Sequence, residues 1–321
     1  MQIIRCTEPS HLGELNSLLP KDKKCAVALG FFDGMHTAHR ALISKAKEIA
    51  DGKNLFLAVF TFFGESKSFK SSSPRIFSDE DRLAIFEECG TDIVVIGEFS
   101  LFSGMSREEF VRDFLIKQLN ADTAVCGYNF RFGKGASGNS ELLSELMAEC
   151  GGNAFVMDDF IYEGRSVSSS LIRTLIAEGR PREAKELLGA PFFISGEVAH
   201  GMGLGRKLGF PTVNIALTDG LIIPKNGVYA SVLRSGEHIL PAITNIGACP
   251  TFGEREVHTE SFILDFDGNL YDTDARIYLI DYLRDERKFE DEKELILQIN
   301  IDKNRAIQLF KEISWQEIGL K

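Results

Sequence analysis

Residues 25–42 read CAVALGFFDGMHTAHRAL. The first five are apolar without interruption, the pattern of a strand covered on both faces. Residues 30–35 read as a turn, and near His36 or Thr37 a helical pattern begins that runs through HRALISKAKEIADG at 39–52. A buried strand that leads straight into a helix opens a βαβ unit, and such units build parallel sheets.

The same alternation continues outward. Strand-like runs recur at 55–63 (LFLAVFTFF), 92–99 (DIVVIGEF), 123–130 (TAVCGYNF) and 153–160 (NAFVMDDF). Helical patterns lie between them at 78–90, 106–120 and 139–151. Ser106 with Glu109 matches a capping box, and Gly90 and Gly151 stand just past helix ends, where a left-handed residue is wanted. After GRPREAKELLGAP (179–191) the texture changes. Six strand-like runs follow, at 192–199, 212–217, 227–233, 239–247, 258–267 and 275–283, separated by TDG, PKNG, RSGE and DGN turns. The tail from Asp291 to Trp315 is again helical. The expected fold is therefore α/β: a Rossmann-like domain with a parallel sheet over 1–186, and a six-stranded antiparallel β-barrel with a C-terminal helix over 187–321.

Composition narrows the class. A chain of 321 residues, 44% hydrophobic and 26% charged, has room for two globular cores. A net charge of −11 argues against nucleic-acid binding, which wants a basic face. The six cysteines show no C-x-x-C pair, against a zinc site or a disulfide framework and in favour of a reducing cytoplasm. No secretory leader pattern opens the chain, and no run of about 18 apolar residues would cross a membrane. Oligomeric state leaves no mark on the sequence.

Three stretches of the first domain carry chemistry. His36 and His39 sit one turn apart where strand gives way to helix, and a helix N-terminus there offers free N–H groups to an anion. Spacing alone fits a surface junction equally well. GYNFRFGKGASG (127–138) sets Arg131 and Lys134 among glycines, a loop able to approach a polyphosphate. SVSSSLIRTLI (166–176) puts three serines before a helix that contains Arg173; the serines cap the helix, and the arginine suits phosphate. All three stretches follow expected strands, and parallel sheets bind ligands at their carboxyl ends.

In the second domain, GEVAHGMGLGRKLGFPTVNI (196–215) joins a glycine-rich loop, with Arg206 and Lys207 in it, to a strand on which Thr212 and Asn214 share a face. That set suits magnesium and a nucleotide triphosphate, or simply a polar strand end. Glu260 stands in an otherwise apolar strand, either as a solvent-facing residue or as a base.

The motifs together resemble bacterial bifunctional riboflavin kinase/FAD synthetases. The nucleotidyltransferase module is similar at Gly30 to His39 (G-x-F-D-G-x-H-x-x-H), at Asn129 to Gly133 (N-F-x-F-G) and at Ser168 to Arg173. The kinase module is similar at G-R-x-L-G-F-P-T-x-N, N-I-G-x-x-P-T-F-G, E-x-x-x-L-D-F-x-G-x-L-Y and L-R-x-E-x-K-F, which together cover most of 190–290. The resemblance implies ATP-dependent phosphorylation of riboflavin to FMN, then AMP transfer from ATP to give FAD, with Mg2+ as cofactor. It implies that His36 and His39 meet the ATP phosphates, Asn129 the nucleotide and Arg173 the leaving pyrophosphate. It places Gly30, Phe32, Asp33, Ser168 and Ser169 at the nucleotide of the first site. In the second it implies Gly201, Gly205 and Arg206 at ATP, Thr212 and Asn214 at Mg2+ and the phosphates, Glu260 as base, and Arg284 and Phe289 at the flavin. Partners are then small molecules only: riboflavin, FMN and ATP.

The chain departs from the family pattern at Phe31, at Ala38 where relatives keep glycine between the histidines, at Ser170, and at 63–66 where a D-P-H-P-like stretch is replaced by Phe63, Gly64, Glu65 and Ser66. Three readings stay open on sequence: a bifunctional enzyme, a riboflavin kinase with an altered adenylyltransferase domain, and a flavin-binding regulator without turnover.

Overall fold

The computed structural model describes residues 1–63, 73–199, 210–248, 257–266 and 268–313. The chain divides into two compact units, one of residues 1–73 and 77–167, the other of 74–76 and 168–321.

In the first unit the elements run β1 (Gln2–Cys6), α1 (Pro9–Leu18), β2 (Cys25–Leu29), α2 (Thr37–Lys53), β3 (Phe56–Phe62), α3 (Asp79–Glu88), β4 (Ile93–Gly97), α4 (Phe99–Ser103), α5 (Glu109–Gln118), β5 (Ala121–Gly127), α6 (Ser140–Glu149), β6 (Asn153–Met157) and a short hairpin of β7 (Ile161–Tyr162) and β8 (Arg165–Ser166). Six strands form one sheet in the order β1-β4-β3-β2-β5-β6, and every pairing in it is parallel. From β2 the chain steps one way to β3 and β4, then returns to the other side at β5 and β6. The switch point lies between β2 and β5, and crevices of this kind open at the carboxyl ends of the two strands.

Local chemistry explains these elements. All five residues of β2 are buried, as its unbroken apolar run requires. Both arms of the capping box before α5 form: the Ser106 N–H donates to Glu109 Oε2 (2.7 Å) and the Glu109 N–H to Ser106 Oγ (3.1 Å). The helix itself winds in the wider π form. Gly90 and Gly151 take positive φ (74° each) past α3 and α6. Phenylalanines 60, 102, 110, 114 and 132 pack ring against ring and fill the core beside these strand ends.

The second unit begins with α7 (Ser169–Ala177) and α8 (Pro181–Leu188), followed by β9 (Phe193–Glu197), β10 (Thr212–Ala216), β11 (Gly227–Ser235), β12 (His238–Ala248), β13 (Val257–Ile263), β14 (Asp274–Arg284) and α9 (Glu292–Glu312). The six strands pair antiparallel in the order β10-β13-β12-β11-β14-β9. The end strands approach each other through a bridge between Ala199 and Asn214, where the Ala199 N–H donates to the Asn214 carbonyl (2.9 Å), and this nearly closes the barrel. One face of β10, β12 and β13 is buried: Val213 9%, Ile215 1% and Thr244, Ile246, Thr259 and Ser261 each 0% exposed. Three hydroxyls there form a ladder, Ser231 to Thr244 and Thr244 to Ser261, each 2.7 Å apart. On the other face α9 lies against Ile243, Phe262 and Leu264. A bidentate pair fixes this helix: Arg284 at the end of β14 meets both oxygens of buried Asp302, with Nε at 2.9 and 3.2 Å.

The structure adds elements to those read from the sequence: β1 and α1 precede the expected first strand, α4 follows β4, and the hairpin β7–β8 stands between β6 and the serine run. Ser168, Ser169 and Arg173 therefore follow an antiparallel hairpin, not a strand of the parallel sheet, and they belong to the second unit.

Candidate active sites

The strand-to-helix junction after β2 is built on a constrained loop. His36 is the N-cap of α2, and its Nδ1 accepts the His39 N–H (3.3 Å). The two imidazoles stack, with centroids 3.6 Å apart and planes at 15°. The Phe32 and His39 rings form a T-shaped pair with centroids 5.2 Å apart. Phe32 and Met35 both hold positive φ (53° and 44°), which is costly for side chains of this size, and both are fully buried. Gly30 is required because a Cβ there would stand 2.9 Å from the Phe32 ring. Asp33 is buried in the same loop, and Ala38 is half-buried in the first turn of α2.

Burial governs the charge of the pair. It lowers the His36 pKa to about 4. His39 is held well below the usual imidazole range by burial, then by His36 and Arg82. Both rings are neutral at pH 7, and each neutral ring still has one N–H to donate. His39 Nδ1 is buried without a hydrogen-bond partner. Together with the α2 N-terminus this offers the chemistry that suits an anion.

Asn129 is exposed in the turn directly after β5, across the switch point from the histidine loop, so these residues come from the two strands that flank the crevice. Gly133 (φ 73°) packs on Arg107, where a Cβ would meet Arg107 Cγ at 2.8 Å. In the second unit Ser168 caps α7 by accepting the Leu171 N–H (3.3 Å), Ser169 opens the helix, and Arg173 Nε donates to the Pro74 carbonyl (2.6 Å). Residues 64–66, which depart from the family pattern, lie outside the described residues.

The barrel brings together the second set. Asn214 pairs with Glu260 across β10 and β13, and Asn245 pairs with Glu260 across β12 and β13. Thr212 Oγ1 donates to Glu260 Oε1 (3.1 Å), so hydroxyl, amide and carboxylate share one face. Asn214 Nδ2 is buried without a partner. Arg284 is committed to Asp302, and its guanidinium lies 5.8 Å from the half-buried Phe289 ring, with Arg287 at 4.8 Å on the same ring. Gly201, Gly205 and Arg206 lie outside the described residues.

Comparison with known proteins matches the two parts of the chain to two activities. Residues 19–171 match the FAD synthetase family and residues 188–310 the riboflavin kinase family. The bifunctional riboflavin kinase/FMN adenylyltransferase of Bacillus subtilis is 34% identical over 321 residues, 98% of this chain and 99% of that protein. The chain belongs to the bifunctional riboflavin kinase/FMN adenylyltransferase family. The Escherichia coli K12 member is 34% identical over 291 residues, 89% of this chain and 93% of its own. A solved Streptococcus pneumoniae structure, described as a macrolide-efflux protein, has the same fold (TM-score 0.83, 28% identity, 94% of this chain and 98% of that one). As a riboflavin kinase/FMN adenylyltransferase the protein uses ATP twice, to phosphorylate riboflavin and to adenylylate the FMN formed. Among the described residues no helix is long and apolar enough to cross a membrane.

In this riboflavin kinase/FMN adenylyltransferase the structure also places residues that the sequence reading passed over. Arg82, in the second turn of α3, is wholly buried against the histidine loop. A charged residue in a helix reads as solvated surface, so nothing in the pattern pointed to it. Asn245 was visible inside N-I-G-x-x-P-T-F-G, but only strand register puts it beside Glu260. Gly247 was visible there too; a Cβ on it would stand 1.8 Å from Glu286 Oε1, so the L-R-x-E-x-K-F segment comes down on that strand through its glutamate.

Proposed function

We propose the following residue roles within the two reactions. In the kinase module Glu260 takes the proton of the terminal ribityl hydroxyl as that oxygen attacks the γ-phosphorus of ATP. The new O–P bond forms, the bond to the β–γ bridging oxygen breaks, and ADP leaves with the electron pair. Thr212 and Asn214 hold the phosphates. The shared face of Thr212, Asn214 and Glu260 is the observation that carries this reading.

Mg2+ fits the residues present. Hydroxyl, amide and carboxylate oxygens are hard donors, and the buried Asn214 amide calls for a partner such as a phosphate oxygen. Thr212 and Asn214 would hold the ion, and when bound it supplies neutralisation of phosphate charge. Gly201, Gly205 and Arg206 belong to the loop over ATP, and Arg284 and Phe289 to the flavin side.

In the adenylyltransferase module an FMN phosphate oxygen attacks the α-phosphorus of ATP, and the bond to the α–β bridging oxygen breaks as pyrophosphate leaves. No covalent intermediate with the protein is needed. His36 and His39 donate to the ATP phosphates beside the α2 N-terminus. Gly30, Phe32 and Asp33 shape the loop, Asn129, Ser168 and Ser169 meet the nucleotide, and Arg173 takes the leaving pyrophosphate. The functional boundary falls at 186/187, and the enzyme works in the cytoplasm.

The test is flavin chromatography after incubation with ATP and Mg2+. Glu260→Ala is expected to abolish FMN formation from riboflavin while still converting supplied FMN to FAD. His36→Ala with His39→Ala is expected to do the converse. Full FAD synthesis by the double histidine variant would overturn the first site, and FMN formation by Glu260→Ala the second.

A further inference from the structure

Arg82 is the largest fully buried side chain described, and its hydrogen bonds go mainly to backbone carbonyls. Nε donates to the Phe32 carbonyl (3.3 Å) and Nη1 to the Phe62 carbonyl (3.2 Å). Nη2 donates to the Phe31 carbonyl and to Thr61 Oγ1 (2.9 Å), and Thr61 Oγ1 itself donates to the Phe31 carbonyl (2.9 Å). Nη1 also meets Asp79 Oδ1 (3.2 Å), one turn earlier on α3. The rings of Phe63 and Phe31 lie near the guanidinium, with centroids at 4.4 and 5.3 Å. Taking a full charge out of water costs several kcal/mol, so a buried arginine needs this many partners to persist.

The partners are not scattered. Phe31 and Phe32 open the loop that ends at His36, and Phe32 is one of its two left-handed residues. The other, Met35, has its carbonyl held by Arg40 Nε (3.0 Å). Each strained residue is thus clamped by an arginine, from α3 at one end and from α2 at the other. Phe32 then passes the constraint on, because its ring meets His39 in a T-shaped contact, and His39 stacks on His36.

We infer that Arg82 is a positioning residue for adenylyl transfer: through the Phe31 and Phe32 carbonyls it fixes the loop that sets the stacked imidazoles at the nucleotide phosphates. This rests on the assignment of His36 and His39 proposed above. Arg82 itself touches no substrate. Its planar fork reaches five acceptors at once, which a lysine ammonium does not match, although a lysine keeps the charge. Misplacing reacting groups by about 1 Å costs on the order of 100-fold in rate.

The experiment compares Arg82→Met, Arg82→Lys, Thr61→Val and the double histidine variant, each assayed for FMN formation from riboflavin and for FAD formation from supplied FMN. Urea unfolding of the first unit reports whether each variant keeps that unit folded, and the kinase reaction of the same chain reports that the second unit is intact. Arg82→Met is expected to lower kcat for FAD formation by on the order of 100-fold with FMN formation within twofold of wild type. Arg82→Lys is expected to recover part of the loss, and Thr61→Val to show a smaller one. Wild-type FAD formation by Arg82→Met overturns the inference, as does a loss of FAD formation accompanied by unfolding of the first unit, which would make Arg82 a stability residue. If Arg82→Met lowers FAD formation while the double histidine variant does not, the histidine assignment fails instead.

Discussion

At the scale of single residues, the neutral imidazole of His36 has a thermodynamic consequence. Its native pKa of about 4 lies below the ordinary 6.5. Below pH 6.5 the unfolded chain binds a proton that the native state refuses, so stability falls as the pH drops, until native His36 also protonates near pH 4. At pH 5 the difference is about 2 kcal/mol. His39 is shifted the same way and adds to the effect. His36→Asn keeps an N-cap acceptor for α2. In urea unfolding of the first unit, wild type is expected to lose more stability than this variant between pH 7 and pH 5, by about 2 kcal/mol. Equal losses would mean that the ring is protonated in the native state. The histidines themselves were legible in the sequence. Their neutrality was not, because it comes from burial under a loop whose backbone no pattern announces.

At the scale of elements, α9 shows what holds the second unit's outer layer. Its buried acidic residue Asp302 accepts from Arg284 and from Gln298 Nε2 (2.8 Å), and removing one partner of a buried pair strands the other's charge. Asp302→Ala is expected to destabilise the second unit by about 3 kcal/mol, measured as a lower midpoint for heat inactivation of the kinase. Arg284 also shows how sequence and structure divide the work. Its motif membership was plain, but its ion pair depends on where a helix 18 residues later comes to rest. The elements read from sequence were those with a strong period: the apolar runs of β2 to β6, the longer helices between them, the turn-bounded strands of the barrel and the C-terminal helix. β1 was missed because it alternates weakly at the edge of the sheet, with only Ile4 and Cys6 buried. α1 was missed because it buries only Leu15 and starts without a side-chain cap.

At the scale of the whole molecule, two reactions share one chain, and FMN is product of one and substrate of the other. A mixture of Glu260→Ala with the double histidine variant, given riboflavin and ATP, is therefore expected to make FAD although neither variant does so alone. Chromatography of the mixture checks this, and FMN held at no more than about one per enzyme, with no FAD formed, would count against release of FMN between the two reactions. The layout of two unlike domains could be read from the change of period near residue 180, and residues 169–188 lie in the second compact unit. The hydroxyl ladder inside that barrel has a consequence for accuracy. A strand that slips by one residue exchanges its two faces. If β13 slipped, Glu260 would turn into the barrel interior, and Ser261 would break its link to Thr244. Mispairing and loss of the base are thus one and the same error, and the ladder makes that error expensive before any substrate arrives.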